Sequence, residues 1–178
     1  MRIAISGTGI AGPTLAFWLE RAGHAVTLIE QAPTFRSGGY VIDFWGVGYT
    51  VAERMGLIDQ VLAHGYQVKE VRLVDAKGAT TGGFPASVFA RMTHNRYTSL
   101  PRGDLAQIIY TAVKDKVETL FGDSITHITD TGSEVDVVLE SGTRRSFDLL
   151  VGADGLHSNV RRLLWGDQSQ FERPLGYY

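Results

Sequence analysis

The apolar positions of the first thirty residues change period twice. Ile3, Ala4 and Ile5 form a short continuous run that stops before Gly7, and Ala11, Leu15, Trp18, Leu19 and Ala22 then recur at helical spacing as far as Gly23. Ala25, Val26, Leu28 and Ile29 make a second run that ends at Glu30. Runs without alternation belong to strands buried on both faces, as in a parallel sheet, so the pattern predicts a βαβ unit. Beyond it, residues 40–44 predict a short strand and 47–63 one or two helices broken near Gly56. Alternation over 67–75 and the glycines of 78–83 predict a strand pair. Leu100-Pro101-Arg102-Gly103-Asp104-Leu105 opens a helix that apolar residues at 105, 108, 109, 112 and 113 carry to about 115. Four short runs follow, 117–121, 124–129, 134–140 and 144–151, parted by turn residues such as Gly122-Asp123 and Ser141-Gly142. They read as an antiparallel meander, and 157–164 reads as a closing helix.

Between the first predicted strand and helix stands Gly7-Thr8-Gly9-Ile10-Ala11-Gly12, a GxGxxG. In that context the first glycine permits a sharp turn, the second lets a pyrophosphate approach the backbone, and the third lets helix and strand pack closely. The helix start, with Ile10 and Ala11, turns free N–H groups and the positive end of its dipole toward phosphates. Pro13 sits where its missing N–H would have no partner anyway. Glu30, 18 residues after Gly12 with Gln31 beside it, stands where such a fold places a carboxylate to accept hydrogen bonds from an adenosine ribose. A 2′-phosphate there would meet a like charge. NAD and FAD share the same ADP half, so the unit alone does not choose between them.

Arg102 is a cation at the start of a predicted helix, the unfavourable end for the dipole, and such a placement calls for an anionic partner. A surface arginine paired with a nearby acid is the plainer reading. Asp154-Gly155 reads as a turn from a strand into a helix that Ser158 or Asn159 caps. Arg161 and Arg162 read equally as solvent-facing charges or as a pyrophosphate clamp.

Composition narrows the function classes. The 178 residues carry 17 Lys+Arg against 19 Asp+Glu, a net charge of -2, which gives no field to attract nucleic acid or an anionic membrane. The absence of cysteine excludes disulfides, cysteine metal sites, iron–sulfur clusters and thiolate nucleophiles. It suits a reducing cytoplasm, which is the expected location. The five histidines, 24, 64, 94, 127 and 157, show no metal spacing, and no serine lies in a GxSxG elbow. No apolar stretch approaches the roughly 18 residues of a membrane helix. The N-terminal run is interrupted by Gly7, Gly9, Gly12 and Pro13, so a signal peptide is not expected.

The fingerprint with Glu30, the segment from Leu100 to Leu105, and Asp154-Gly155-Leu156-His157-Ser158-Asn159-Val160-Arg161 together resemble the N-terminal part of the FAD-dependent aromatic hydroxylases. These are the p-hydroxybenzoate hydroxylase-like flavoprotein monooxygenases. The resemblance implies an α/β fold: a Rossmann-like FAD-binding domain over 1–174, with a parallel sheet and an antiparallel meander. It assigns Arg102 to the flavin side of FAD and Asp154-Gly155 to the pyrophosphate, serving both FAD and NAD(P)H. Residues 39–44 are similar to the tetracycline-inactivating branch, where the acid matching Asp43 is expected to touch FAD. Arg36 lies near an arginine that the resemblance gives to NAD(P)H as co-substrate. The implied activity is NAD(P)H-dependent monooxygenation of an aromatic or polyketide-like small molecule, with no catalytic acid, base or nucleophile nominated.

Enzymes of this family are longer, with a substrate-binding sheet and a second segment that returns to the FAD domain. The resemblance therefore implies an N-terminal fragment, with 175–178 opening a strand of a missing substrate domain and with a complementary C-terminal chain or a homo-oligomer as partner. Reductases of the geranylgeranyl type and halogenases share the fingerprint, although halogenases resemble this sequence less over 100–105. A non-catalytic ADP-binding domain is the remaining alternative.

Overall fold

The computed structural model describes residues 1–35 and 38–176. They divide into two compact units, one of residues 1–36 and 109–178, the other of residues 37–108.

The first unit is built on β1 (Arg2–Ser6), α1 (Ala11–Arg21) and β2 (Ala25–Glu30), the predicted βαβ arrangement. β1 and β2 pair in parallel with Ile3 beside Val26 and Ile5 beside Leu28. Ile3, Ile5 and Leu28 are almost completely buried, each contributing about 1.5–3 kcal/mol of transfer free energy. α1 packs on this face, since a Cβ on Gly12 would lie 3.5 Å from the Ile5 side chain. The opposite face, through Ala4 and Ile29, joins Ile125, Val137, Leu139, Phe147 and Val160 in one cluster.

The strands expected to form a four-membered meander divide between two sheets. β7 (Glu118–Phe121) and β11 (Leu149–Gly152) are parallel members of the main sheet, whose order is β11-β1-β2-β7. Only β8 (Ile125–Asp130), β9 (Val135–Leu139) and β10 (Arg144–Phe147) form the antiparallel meander. The run at 144–151 is thus two strands, broken at Asp148, whose N–H is taken by the Arg2 carbonyl at 2.8 Å. α6 (Asn159–Trp165) closes the unit. Leu175 and Gly176 form no strand, and Tyr177 and Tyr178 lie outside the described residues.

In the second unit β3 (Val41–Trp45) pairs antiparallel with β6 (Tyr97–Pro101), setting Asp43 beside Ser99. Between them run α2 (Gly46–Met55), α3 (Ile58–His64), the hairpin β4 (Glu70–Val74) with β5 (Thr80–Pro85), and α4 (Ser87–Met92). The predicted break falls at Gly56, which caps α2 with φ +74°. β6 and α4 have no counterpart among the expected elements. β6 is buried although it carries Thr98 and Ser99, so its pattern shows no apolar run. α5 (Arg102–Thr111) follows β6 directly and ends a turn earlier than the apolar spacing predicts.

Candidate functional site

In a parallel sheet the chain leaves every strand at the same edge, and in open α/β sheets ligands bind beyond that edge, where the strand order reverses. Ser6 pairs with Gly152 on one side and with Ile29 on the other. The loop Gly7-Thr8-Gly9-Ile10, the residues Glu30 and Gln31, and the turn Asp154-Gly155 therefore meet at one crest.

The glycines of the loop are demanded by packing. Gly7 has φ +105°, and a Cβ there would lie 2.5 Å from the Ala153 carbonyl oxygen. A Cβ on Gly12 would stand 2.0 Å from the carbonyl oxygen of Gly7. The loop is thereby folded against the start of α1, where Ile10 is the N-cap and no side chain caps the helix. Amides at that turn point outward with the dipole behind them, a setting for phosphate. Ala11 is exposed on the first turn and Gln31 is exposed after β2.

Glu30 is half-buried at the end of β2. One carboxylate oxygen accepts both the N–H and the hydroxyl of Thr8, each at 2.9 Å. The other accepts the Ala32 N–H at 2.9 Å. A carboxylate has about four lone-pair sites, so one acceptor position remains for a ribose hydroxyl.

Asp154 looks inward. Its carboxylate accepts from the Ser6 hydroxyl at 3.3 Å and the Val160 N–H at 3.0 Å, and also from the Ser158 hydroxyl. Ser158 in turn caps α6 by accepting the Arg161 N–H at 3.0 Å. Asp154 thus ties β1, β11 and α6 together beneath Gly155, which takes φ +81°. A cavity of about 340 Å³ adjoins this turn, with Asp154, Ser158 and Arg161 on its wall. Arg161 donates to the Leu156 carbonyl at 2.7 Å, and its buried Nε has no partner among the described residues.

Asp43 and Arg102 belong to the second unit. The Ser99 hydroxyl donates to Asp43 at 2.6 Å. Asp43 also borders a mostly apolar cavity of about 140 Å³ with Trp45, Val71, Phe89 and Tyr97. The Arg102 N–H donates to the Tyr40 carbonyl at 3.0 Å, and the guanidinium is in none of the ion pairs among the described residues. Arg36 lies outside the described residues. The described residues hold no cluster of metal-ligating side chains, and none of their helices is long and apolar enough to cross a membrane.

Sequence reasoning missed Thr8 and Ser6. Both are small polar residues that are almost fully buried, and their only signal is a hydroxyl placed inside or just before a glycine loop.

The chain is 39% identical to uncharacterised proteins of Mycobacterium tuberculosis, over 98% of its own length and 47% of theirs. It is 36% identical to an FAD-dependent monooxygenase of Sarocladium schorii, covering 93% of this chain and 39% of that protein. Among solved structures it is similar to the tetracycline destructase Tet(51), with TM-score 0.76, 33% identity, and coverage of 92% and 41%. The Klebsiella pneumoniae HpxO complex with FAD and uric acid shares the fold, with TM-score 0.77 at 24% identity over 91% of this chain and 41% of HpxO. The chain spans less than half the length of these relatives. Residues 1–174 match the model of the FAD binding domain, and the chain belongs to the FAD-binding domain family.

Proposed function

We propose that this chain is the FAD-holding part of an NAD(P)H-dependent flavin monooxygenase that acts on an aromatic or polyketide-like small molecule. The observation that carries the nucleotide part of the reading is the crest itself, with an uncapped helix start, a loop closed by Gly7 and Gly12, and a carboxylate with one free acceptor position; the match of residues 1–174 to the FAD binding domain supports FAD as that nucleotide. In this reading Gly7, Gly9, Ile10, Ala11 and Gly12 face the pyrophosphate, and Glu30 with Gln31 orients the adenosine. Asp154 and Gly155 shape the pyrophosphate side, and Arg161 beside the 340 Å³ cavity supplies positive charge there. Arg102 and Asp43 serve the flavin end, and Arg36 serves NAD(P)H. Bound FAD supplies the redox and oxygen chemistry of such an enzyme; the chain's residues bind it, orient it and keep water from it. The apolar cavity beside Asp43 supports an organic substrate with little charge.

A second reading of the same site is also proposed. The chain is then a cofactor-binding module that works with a complementary C-terminal chain or a second copy, and residues from 175 onward open a substrate-binding part. A cytoplasmic location fits either reading.

Titration of the purified chain with FAD, followed by flavin absorbance and fluorescence, tests the proposal. Stoichiometric uptake is expected, and a chain that takes up no FAD overturns it. NADH or NADPH oxidation on addition of aromatic compounds separates the two readings, because a module awaiting its partner binds FAD without turnover.

A further inference from the structure

The GxGxxG pattern leaves its second position open, and this chain fills it with Thr8, which is 4% exposed. Any residue but proline there offers an amide N–H. Thr8 also gives its hydroxyl, and both donors converge on the same Glu30 oxygen at 2.9 Å each. With the Ala32 N–H on the other oxygen at 2.9 Å, three of about four lone-pair sites are taken. The remaining one therefore has a fixed position on the Ala32 side.

We propose that Thr8 is a positioning residue for the nucleotide, whose hydroxyl locks the Glu30 carboxylate in the one orientation that leaves a single acceptor for the adenosine ribose. The inference rests on the nucleotide reading of the crest given above. Without the hydroxyl, the carboxylate keeps the Thr8 amide but loses a charge-assisted donor, and its open lone pair is no longer held in place. Affinity then falls only for ligands that use that lone pair. Thr8 touches no ligand in this account; it acts through Glu30.

Calorimetric titration with ADP and 2′-deoxy-ADP tests this on the wild-type chain, Thr8→Val, Thr8→Ser, Glu30→Gln and the Thr8→Val/Glu30→Gln double variant. Thr8→Val is expected to weaken ADP about tenfold, in the range of a hydrogen bond to a charged group. Thr8→Ser stays within about twofold of wild type. The Thr8→Val effect shrinks to within about twofold for 2′-deoxy-ADP, and equally for ADP in the Glu30→Gln background, as coupled neighbours require. An equal loss for both nucleotides, or a loss that persists without the Glu30 charge, overturns the proposal and leaves Thr8 a packing residue. Wild-type binding of ADP with Thr8→Val unchanged overturns it while the nucleotide reading stands. A wild-type chain that binds neither ADP nor FAD overturns both. Should Thr8→Val fail to fold by circular dichroism, Thr8→Ala against Thr8→Ser carries the same comparison.

Discussion

Two glycines at the crest meet different constraints, and their alanine variants separate them. At Gly12 a methyl group would sit 2.0 Å from the Gly7 carbonyl oxygen, so the glycine loop must move. Gly12→Ala is expected to cost about 1–3 kcal/mol, as overpacking does, and to abolish FAD uptake. At Gly155 nothing lies within 4 Å of a Cβ, and only φ +81° opposes a side chain. Gly155→Ala is expected to cost about 1–2 kcal/mol while FAD uptake survives. Urea denaturation and flavin fluorescence on the two variants check both outcomes. The fingerprint and Glu30 were legible because glycine spacing and a strand-end acid are local features. The inward turn of Asp154 was not, since its partner Ser6 lies 148 residues away and no local pattern couples them.

At the scale of elements, α6 depends on one cap. Ser158→Ala removes the acceptor of the Arg161 N–H and a donor to Asp154. It is expected to cost about 0.5–2 kcal/mol in denaturant unfolding. The meander is tied to the parallel sheet by charge: Arg145 on β10 donates to Glu118 on β7 at 2.5 Å, and Thr27 on β2 donates to the same oxygen at 2.9 Å. The Arg145 guanidinium holds the Glu118 carboxyl below the usual range; burial opposes this and the Thr27 hydroxyl adds to it. Because the folded state binds this proton less tightly than the unfolded one, the stabilisation is complete at neutral pH. It is lost as pH falls through the ordinary glutamate range toward the lowered folded value. The pair is 44% and 34% exposed, which limits its worth to well under 1 kcal/mol. Glu118→Gln is expected to lower the melting temperature slightly at pH 7, by a difference that shrinks as pH falls below the ordinary glutamate range. The division of the predicted meander between two sheets was illegible for a physical reason: apolar runs of four residues bounded by turns look alike whether their partner is parallel or antiparallel.

For the whole molecule, the crest lies entirely in the first unit, while the β4–β5 hairpin of the second is an exposed two-stranded sheet. Such hairpins are marginal in isolation. Hydrogen exchange should therefore show ADP slowing amides around residues 7–12 and 30–32 and leaving those of 70–85 unchanged; protection of the hairpin by ADP would contradict this. FAD present at a hundred times its dissociation constant would add about 2.7 kcal/mol to the stability of the unit that binds it.

The contact between Ser6 and Asp154 also sets a schedule for biosynthesis. The glycine loop spans residues 7–12, yet the Ala153 carbonyl that lies against Gly7, the hydroxyl-to-carboxylate link at the crest and the Val160 amide that completes it come from residues 153–160. Synthesis proceeds at roughly 5–20 residues per second, so the fingerprint waits roughly 7–30 s, emerged but without its far wall. Cofactor capture thus waits until synthesis has passed Val160, and a nascent polypeptide arrested before β11 is expected to carry the motif and take up no FAD.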